Sequence, residues 1–169
     1  MNKLRLLVAA VLFPFVIPKT LLYVGRNFDN YILPSSKLQP IHLAGVPVFI
    51  AGFLISITSI WQLYSYGSGM PWGDVAEDSQ SSALVTGGLY NYTRNPMLLG
   101  YGLFIMGTGL YYGSFTTAFI LSTTVVALVS LWIKNIEEPE LVKRFGQDYI
   151  TYRDSTPFIV PRRPNKKID

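Results

Sequence analysis

The chain has 169 residues, half of them hydrophobic and only 14% charged, with a mean hydropathy of +0.32. Soluble domains carry about 25% charged residues, so the composition points to lipid as solvent and to one domain over 1–169. There is no cysteine and one histidine, His42, which excludes disulfides and thiolate chemistry and leaves no metal-ligand cluster. The net charge of +4 does not indicate a nucleic-acid binder, because the basic residues flank apolar runs instead of lining a polar face.

Four segments are apolar enough for a bilayer crossing, which needs roughly 20 helical residues. The first runs from about Leu4 to Tyr23 and contains Pro14 and Pro18, tolerable in a spanning helix where neighbours satisfy the freed carbonyls. A cleaved signal peptide would look similar, but no small-x-small site follows, and the segment is read as a retained helix. The second runs from about Ile41 to Tyr64, with Trp61, Tyr64 and Tyr66 forming an interfacial aromatic belt.

A Gly-, Ser- and acid-rich stretch, Ser65 to Gln80, reads as a surface loop. The third span, about Met97 to Tyr112, is short; "YYGSF", Tyr111 to Phe115, then predicts a tight hairpin into the fourth, about Thr116 to Ile136. Gly45 with Gly52, and Gly109 with Gly113 as a GxxxG, are candidates for close helix packing, and Gly100 and Gly102 for the approach of a ligand. After Ile136 a separate amphipathic helix is expected, with Pro139 in its first turn and Glu137, Glu138 and Glu140 at the positive end of its dipole. "STPFIVPRRP" follows it as extended chain. The expected fold is therefore all-α: an integral membrane bundle of about four transmembrane helices with a cytoplasmic C-terminal amphipathic helix.

Counting Lys and Arg sets the orientation. With four spans, the N-terminus, second loop and tail share one side and carry eleven of them, against three in the first loop (Lys19, Arg26, Lys37). The positive-inside rule makes the first set cytoplasmic, with both termini there. Two polar stretches, "GGLYNYTRNPMLLG" and "IEEPELVKRFG", then face one compartment.

Glu137 and Glu138 either cap the tail helix or, at the end of a span, pair with Arg94, with tail cations or with a charged ligand. Arg94 is either a snorkelling anchor or a ligand for an anion, and Asn95 before Pro96 either an N-cap or a polar contact. Tyr90 and Tyr92 are interfacial residues or ring faces for a base. No P-loop and no strand-borne GxGxxG is present, so a soluble-type nucleotide domain is absent.

These two motifs, with the tail "QDYITYRDSTPFIVPR", resemble the isoprenylcysteine carboxyl methyltransferase family and the related membrane phospholipid methyltransferases. The likeness covers about Leu84 to Arg162. Arg94, Pro96, Gly100, Glu137 and Glu138 match the family's Arg-His-Pro-x-Tyr-x-Gly … Glu-Glu pattern, while Asn95 replaces its histidine and Leu98 its tyrosine. Gly146, Tyr149 and Tyr152 match its tail.

The resemblance implies S-adenosyl-L-methionine as cofactor, bound by Tyr90, Asn95, Pro96, Leu98, Gly100, Glu137, Glu138, Tyr149 and Tyr152. It also implies catalytic roles for Arg94 and Glu138, no metal, and a lipid-like or small hydrophobic acceptor drawn from the membrane. A phospholipid amine, a prenylated thiol acid and a small hydrophobic molecule all stay open as acceptors. A non-enzymatic membrane scaffold and a nicotinamide-dependent membrane reductase are the other readings.

Overall fold

The computed structural model describes residues 11–32, 42–67 and 81–163. The start of the predicted first span, most of the predicted Ser65–Gln80 loop, and Lys3, Arg5, Lys37, Lys166 and Lys167 of the charge count lie outside these residues. Among the described residues there is no strand. Five helices follow in order: α1 (Ile17–Ile32), α2 (His42–Gly67), α3 (Pro96–Tyr111), α4 (Thr116–Phe145) and α5 (Gln147–Ser155).

Two expectations are corrected. The first apolar helix does not stop near Tyr23: α1 continues nine residues further and carries Arg26 and Asp29 within it. Nor does a new helix begin after Ile136. The fourth helix continues to Phe145, and Pro139 lies inside it.

The reason is a π-helical turn at Ile133–Glu137, closed by the Glu138 N–H bonding five residues back to the Ile133 carbonyl. A proline in an α-helix lacks an N–H and strikes the carbonyl four residues before it. The wider turn immediately upstream relieves that clash without breaking the helix. The same arrangement precedes α1, where the Ile17 N–H reaches Leu12 and Pro18 follows.

Only α2 and α4 are long and apolar enough to cross a membrane among the described residues. Just 17% of the most apolar stretch of α2 and 28% of that of α4 is buried, whereas the core helix of a soluble protein would be covered. Leu43, Ile50, Leu54 and Ile57 all lie exposed on α2. Such a surface in water would be an aggregation liability. α3 is apolar but has 16 residues, about 24 Å of helix.

The described residues fall into two compact units, drawn from Met1–Phe53 with Gly100–Ala127 and from Leu54–Leu99 with Leu128–Asp169. In the first, α2 and α3 approach almost backbone to backbone. A Cβ at Gly45 would meet Tyr111 and Gly107, one at Gly52 would meet Phe104 and the Gly100 carbonyl, and one at Gly107 would meet Phe49. Phe104 fills the seam between Phe49 and Phe53, its ring 4.6 Å from the former. Gly109 packs in the same way on Ala118, and Gly102 on the Val126 side chain.

Gly113 is the exception to the predicted GxxxG. It is a turn residue with φ +68°, the left-handed position that ends α3. The Ser114 N–H returns to the Gly109 carbonyl and the Gly113 N–H to Leu110, closing the helix with a Schellman motif. The predicted hairpin is thus present.

Ser114 then accepts from the Thr117 N–H, and Asp29 of α1 accepts from the Thr116 N–H at 2.9 Å. Two of the donors that α4 leaves unsatisfied at its start are met in this way. His42, the single histidine, bonds the Tyr111 carbonyl at the end of α3.

Candidate functional site

In the second unit, the short segment between Gly87 and Pro96 meets α2, the tail and the fourth helix. The glycine pair there is asymmetric. Gly87 has open space around it, while Gly88 has φ +61° and sits against the Gln62 side chain of α2. That conformation starts a 3-10 turn, Gly88–Asn91, which delivers the Leu89 N–H to Gln62 Oε1 at 3.0 Å. Pro96 opens α3 at the position where its missing N–H costs nothing. Asn95 takes the cap position: its backbone carbonyl accepts from Leu99, while its side-chain amide turns elsewhere.

Between turn and helix, Tyr92 to Asn95 is stitched to the tail. The Arg94 N–H donates to the Pro157 carbonyl at 2.9 Å and the Arg162 N–H to the Tyr92 carbonyl at 3.1 Å. Thr93 Oγ1, at 3.1 Å, and Asn95 Nδ2, at 2.9 Å, both donate to the Phe158 carbonyl. Buried backbone polar groups are thereby satisfied, and the Arg94 side chain is fixed at its root.

The guanidinium of Arg94 meets Glu138, with Nη1 to Oε1 at 3.1 Å and side chains only 11% and 14% exposed. Of the partners open to the carboxylate pair, Arg94 is the one Glu138 takes. The contact is one of charge more than of direction. Arg94 Nε and Nη1 and Glu138 Oε1 are buried and make no directed hydrogen bond, so the pair keeps unused donor and acceptor capacity. Burying charge in that state is expensive.

Tyr149, almost fully buried, stands beside both groups. Burial pushes its hydroxyl up to about 12, with Glu138 adding to the rise and Arg94 partly opposing it. The Tyr152 hydroxyl donates to the Tyr90 carbonyl at 2.7 Å, and burial raises it above the ordinary tyrosine value too. Burial likewise raises Tyr90, and the charge of Glu137 adds to it. All three hydroxyls therefore stay neutral donors at physiological pH.

Of the residues singled out from sequence, Arg94, Glu138 and Tyr149 form one cluster. Tyr90 and Tyr152 are joined by the hydrogen bond between them, and the charge of Glu137 acts on Tyr90. Pro96 and Leu98 are buried at the start of α3. Gly100 is buried too, but in the first unit, where its carbonyl faces Gly52.

Sequence reasoning did not single out Thr93, Gln62, Lys134 or Phe158. The first two bond backbone groups from ordinary-looking positions. The Phe158 ring is approached by two cations, Arg94 Cζ at 5.5 Å and Lys134 Nζ at 4.7 Å.

The phospholipid methyltransferase family model matches residues 40–148, nearly two thirds of the chain. The chain belongs to that family. Within it, the protein is 35% identical over 81 residues to the protein-S-isoprenylcysteine O-methyltransferase of Schizosaccharomyces pombe. That likeness covers 48% of this chain and 34% of the relative. It is 26% identical over 140 residues to the methanethiol S-methyltransferase of Crocosphaera subtropica, covering 80% of this chain and 50% of the relative. This family member thus spans between a third and a half of the length of these curated relatives. Arg94 and Glu138 lie inside the family match; Tyr149, Tyr152 and Phe158 lie just beyond it.

Proposed function

We propose that this membrane methyltransferase uses S-adenosylmethionine to methylate a lipid-like or small hydrophobic acceptor. The reaction takes place at the cytoplasmic face of a bundle of about four spans, with both termini on that side. The observation that carries the reading is the Arg94–Glu138 pair, which joins the two family motifs and leaves buried polar atoms unsatisfied.

The residues suit the donor's chemistry. S-adenosylmethionine carries a carboxylate, an ammonium, ribose hydroxyls and an adenine, and when bound supplies an electrophilic methyl group on a sulfonium. Arg94 Nε is a free, buried donor for the carboxylate. Glu138 Oε1 and the carboxylate of Glu137 accept from the ammonium or the hydroxyls. The neutral Tyr149 hydroxyl donates beside them. Tyr90 and Tyr152, tied to each other by one hydrogen bond, present the ring faces that cover an adenine and exclude water. Asn95, Pro96 and Leu98 stand at the start of α3, beside Arg94 in the chain.

What these groups contribute is mainly alignment, because displacement at a methyl carbon demands an in-line approach. An acceptor presented as a carboxylate needs no base. One presented as an ammonium or thiol must lose a proton, and Glu138 is the carboxylate placed to take it.

The test is calorimetric titration of the detergent-purified protein with S-adenosylhomocysteine, with Glu138→Gln and Tyr149→Phe alongside and a thermal melt of each. Saturable binding that weakens in both variants, while both still melt cooperatively, supports the reading. A folded wild-type protein that binds nothing, in detergent and again in nanodiscs, sinks it and favours a scaffold in which the ion pair only holds helices together.

A further inference from the structure

The tail residue Phe158 is held more firmly than a hydrophobic side chain on a bent tail segment requires. Its carbonyl takes two side-chain hydrogen bonds, from Thr93 and Asn95, on either side of Arg94. The flanking Pro157 carbonyl takes the Arg94 N–H itself. Its ring lies within cation–π reach of Arg94 and of Lys134 on the π-helical turn that leads to Glu138. One residue therefore touches every part of the ion pair's support: the backbone before α3, the guanidinium, and the turn that presents the carboxylate.

We propose that Phe158 is a positioning residue, whose ring holds the Arg94 guanidinium against Glu138 in the arrangement that the methyl donor meets. This rests on the donor reading above. The physical case is one of missing constraint. Arg94 has Nε and Nη1 without directed hydrogen bonds, so its polar contacts with Glu138 and the neighbouring Tyr149 hydroxyl still leave the planar group room to tilt. A quadrupolar ring face supplies the second restraint without consuming an N–H, which a hydrogen-bonding residue would do. The donors stay available to a ligand while the group stays oriented.

Leucine and tryptophan at this position separate the ring's role from simple burial. Phe158→Leu keeps the carbonyl bonds and the apolar bulk, and Phe158→Trp keeps a ring. The first readout needs no donor: thermal melts of Phe158→Leu and Arg94→Gln, singly and together. The leucine change is expected to lower the melting temperature less than half as much when Arg94 is already glutamine as when it is arginine. Equal lowering in both backgrounds overturns the ring's hold on Arg94.

The second readout is titration with S-adenosylhomocysteine. Phe158→Leu is expected to weaken binding roughly tenfold, as the loss of close cation–π contact in a buried site implies. Phe158→Trp should stay within about twofold of wild type, since tryptophan is the better cation–π partner. Wild-type affinity in the leucine variant overturns the proposal. A wild-type protein that binds no S-adenosylhomocysteine instead fails the donor reading, and the melts still decide the contact with Arg94.

Discussion

Replacing Glu138 by glutamine removes one charge from a pair whose atoms stand 3.1 Å apart in side chains 11% and 14% exposed. At an effective dielectric of about 20, that separation corresponds to an attraction of about 5 kcal/mol. The substitution also relieves the cost of holding a carboxylate out of water, and glutamine keeps an acceptor for Arg94. It leaves behind a buried guanidinium without a counter-ion, which sets the net loss at about 3 kcal/mol. For a chain of this size each kcal/mol moves the melting temperature by roughly 2–4 °C, so Glu138→Gln should melt about 6–12 °C lower.

The assay is thermal unfolding of the detergent-solubilised protein, followed by circular dichroism, for Glu138→Gln, Arg94→Gln and the double variant. The double variant should be more stable than the sum of the two losses implies, because it removes the orphaned charge along with its partner. A Glu138→Gln protein that melts within about 1 °C of wild type would refute this reasoning. The carboxylate would then be solvated in solution and paired only in the static geometry. Charge removal at this position is consequently not silent toward folding, and binding studies on it need the melt as a companion.

Three further outcomes rest on geometry. Gly107→Leu drives a side chain into the backbone of Phe49 and should cost about 3 kcal/mol or more of stability, read in the same melts. Gly88→Ala should cost about 1–2 kcal/mol for its left-handed backbone alone. Its neighbour Gly87→Ala, with open space around it, should lie within about 0.5 kcal/mol of wild type. In a spectrophotometric titration, Tyr149 should ionise near pH 12, and Tyr90 and Tyr152 should also ionise later than exposed tyrosines. The sign is that of a neutral acid stabilised by burial. Its contribution is complete below about pH 10, where the unfolded chain begins to ionise, and is lost as pH rises from there toward 12.

The helices were legible from sequence where apolar runs meet polar ends. α2 was expected from about Ile41 to Tyr64 and runs His42–Gly67; α3 was expected at about Met97 to Tyr112 and runs Pro96–Tyr111. The hairpin at Gly113 was legible because no charge lies in so short a connection. Pro139 misled because a proline beside three glutamates looks like a helix start, and the π-helical turn that lets a helix pass through it has no residue signature of its own. At the site, the meeting of Arg94 with Glu138 could be foreseen among alternatives, since two costly charges at apolar boundaries need partners. Phe158 could not, because nothing in an apolar tail residue foretells that two cations will lie over its ring.

The turn at Ile133–Glu137 also bears on which of two adjacent carboxylates, Glu137 or Glu138, meets Arg94. A hydrogen bond reaching back five residues in place of four takes up one extra residue, and each residue added to or lost from a helix rotates the downstream side chains by about 100°. Whether Glu138 or Glu137 lies toward Arg94 is therefore a question of phase, set by a single residue of length upstream. Adjacent glutamates keep a carboxylate near the guanidinium through a one-residue slip in either chain length or helix type.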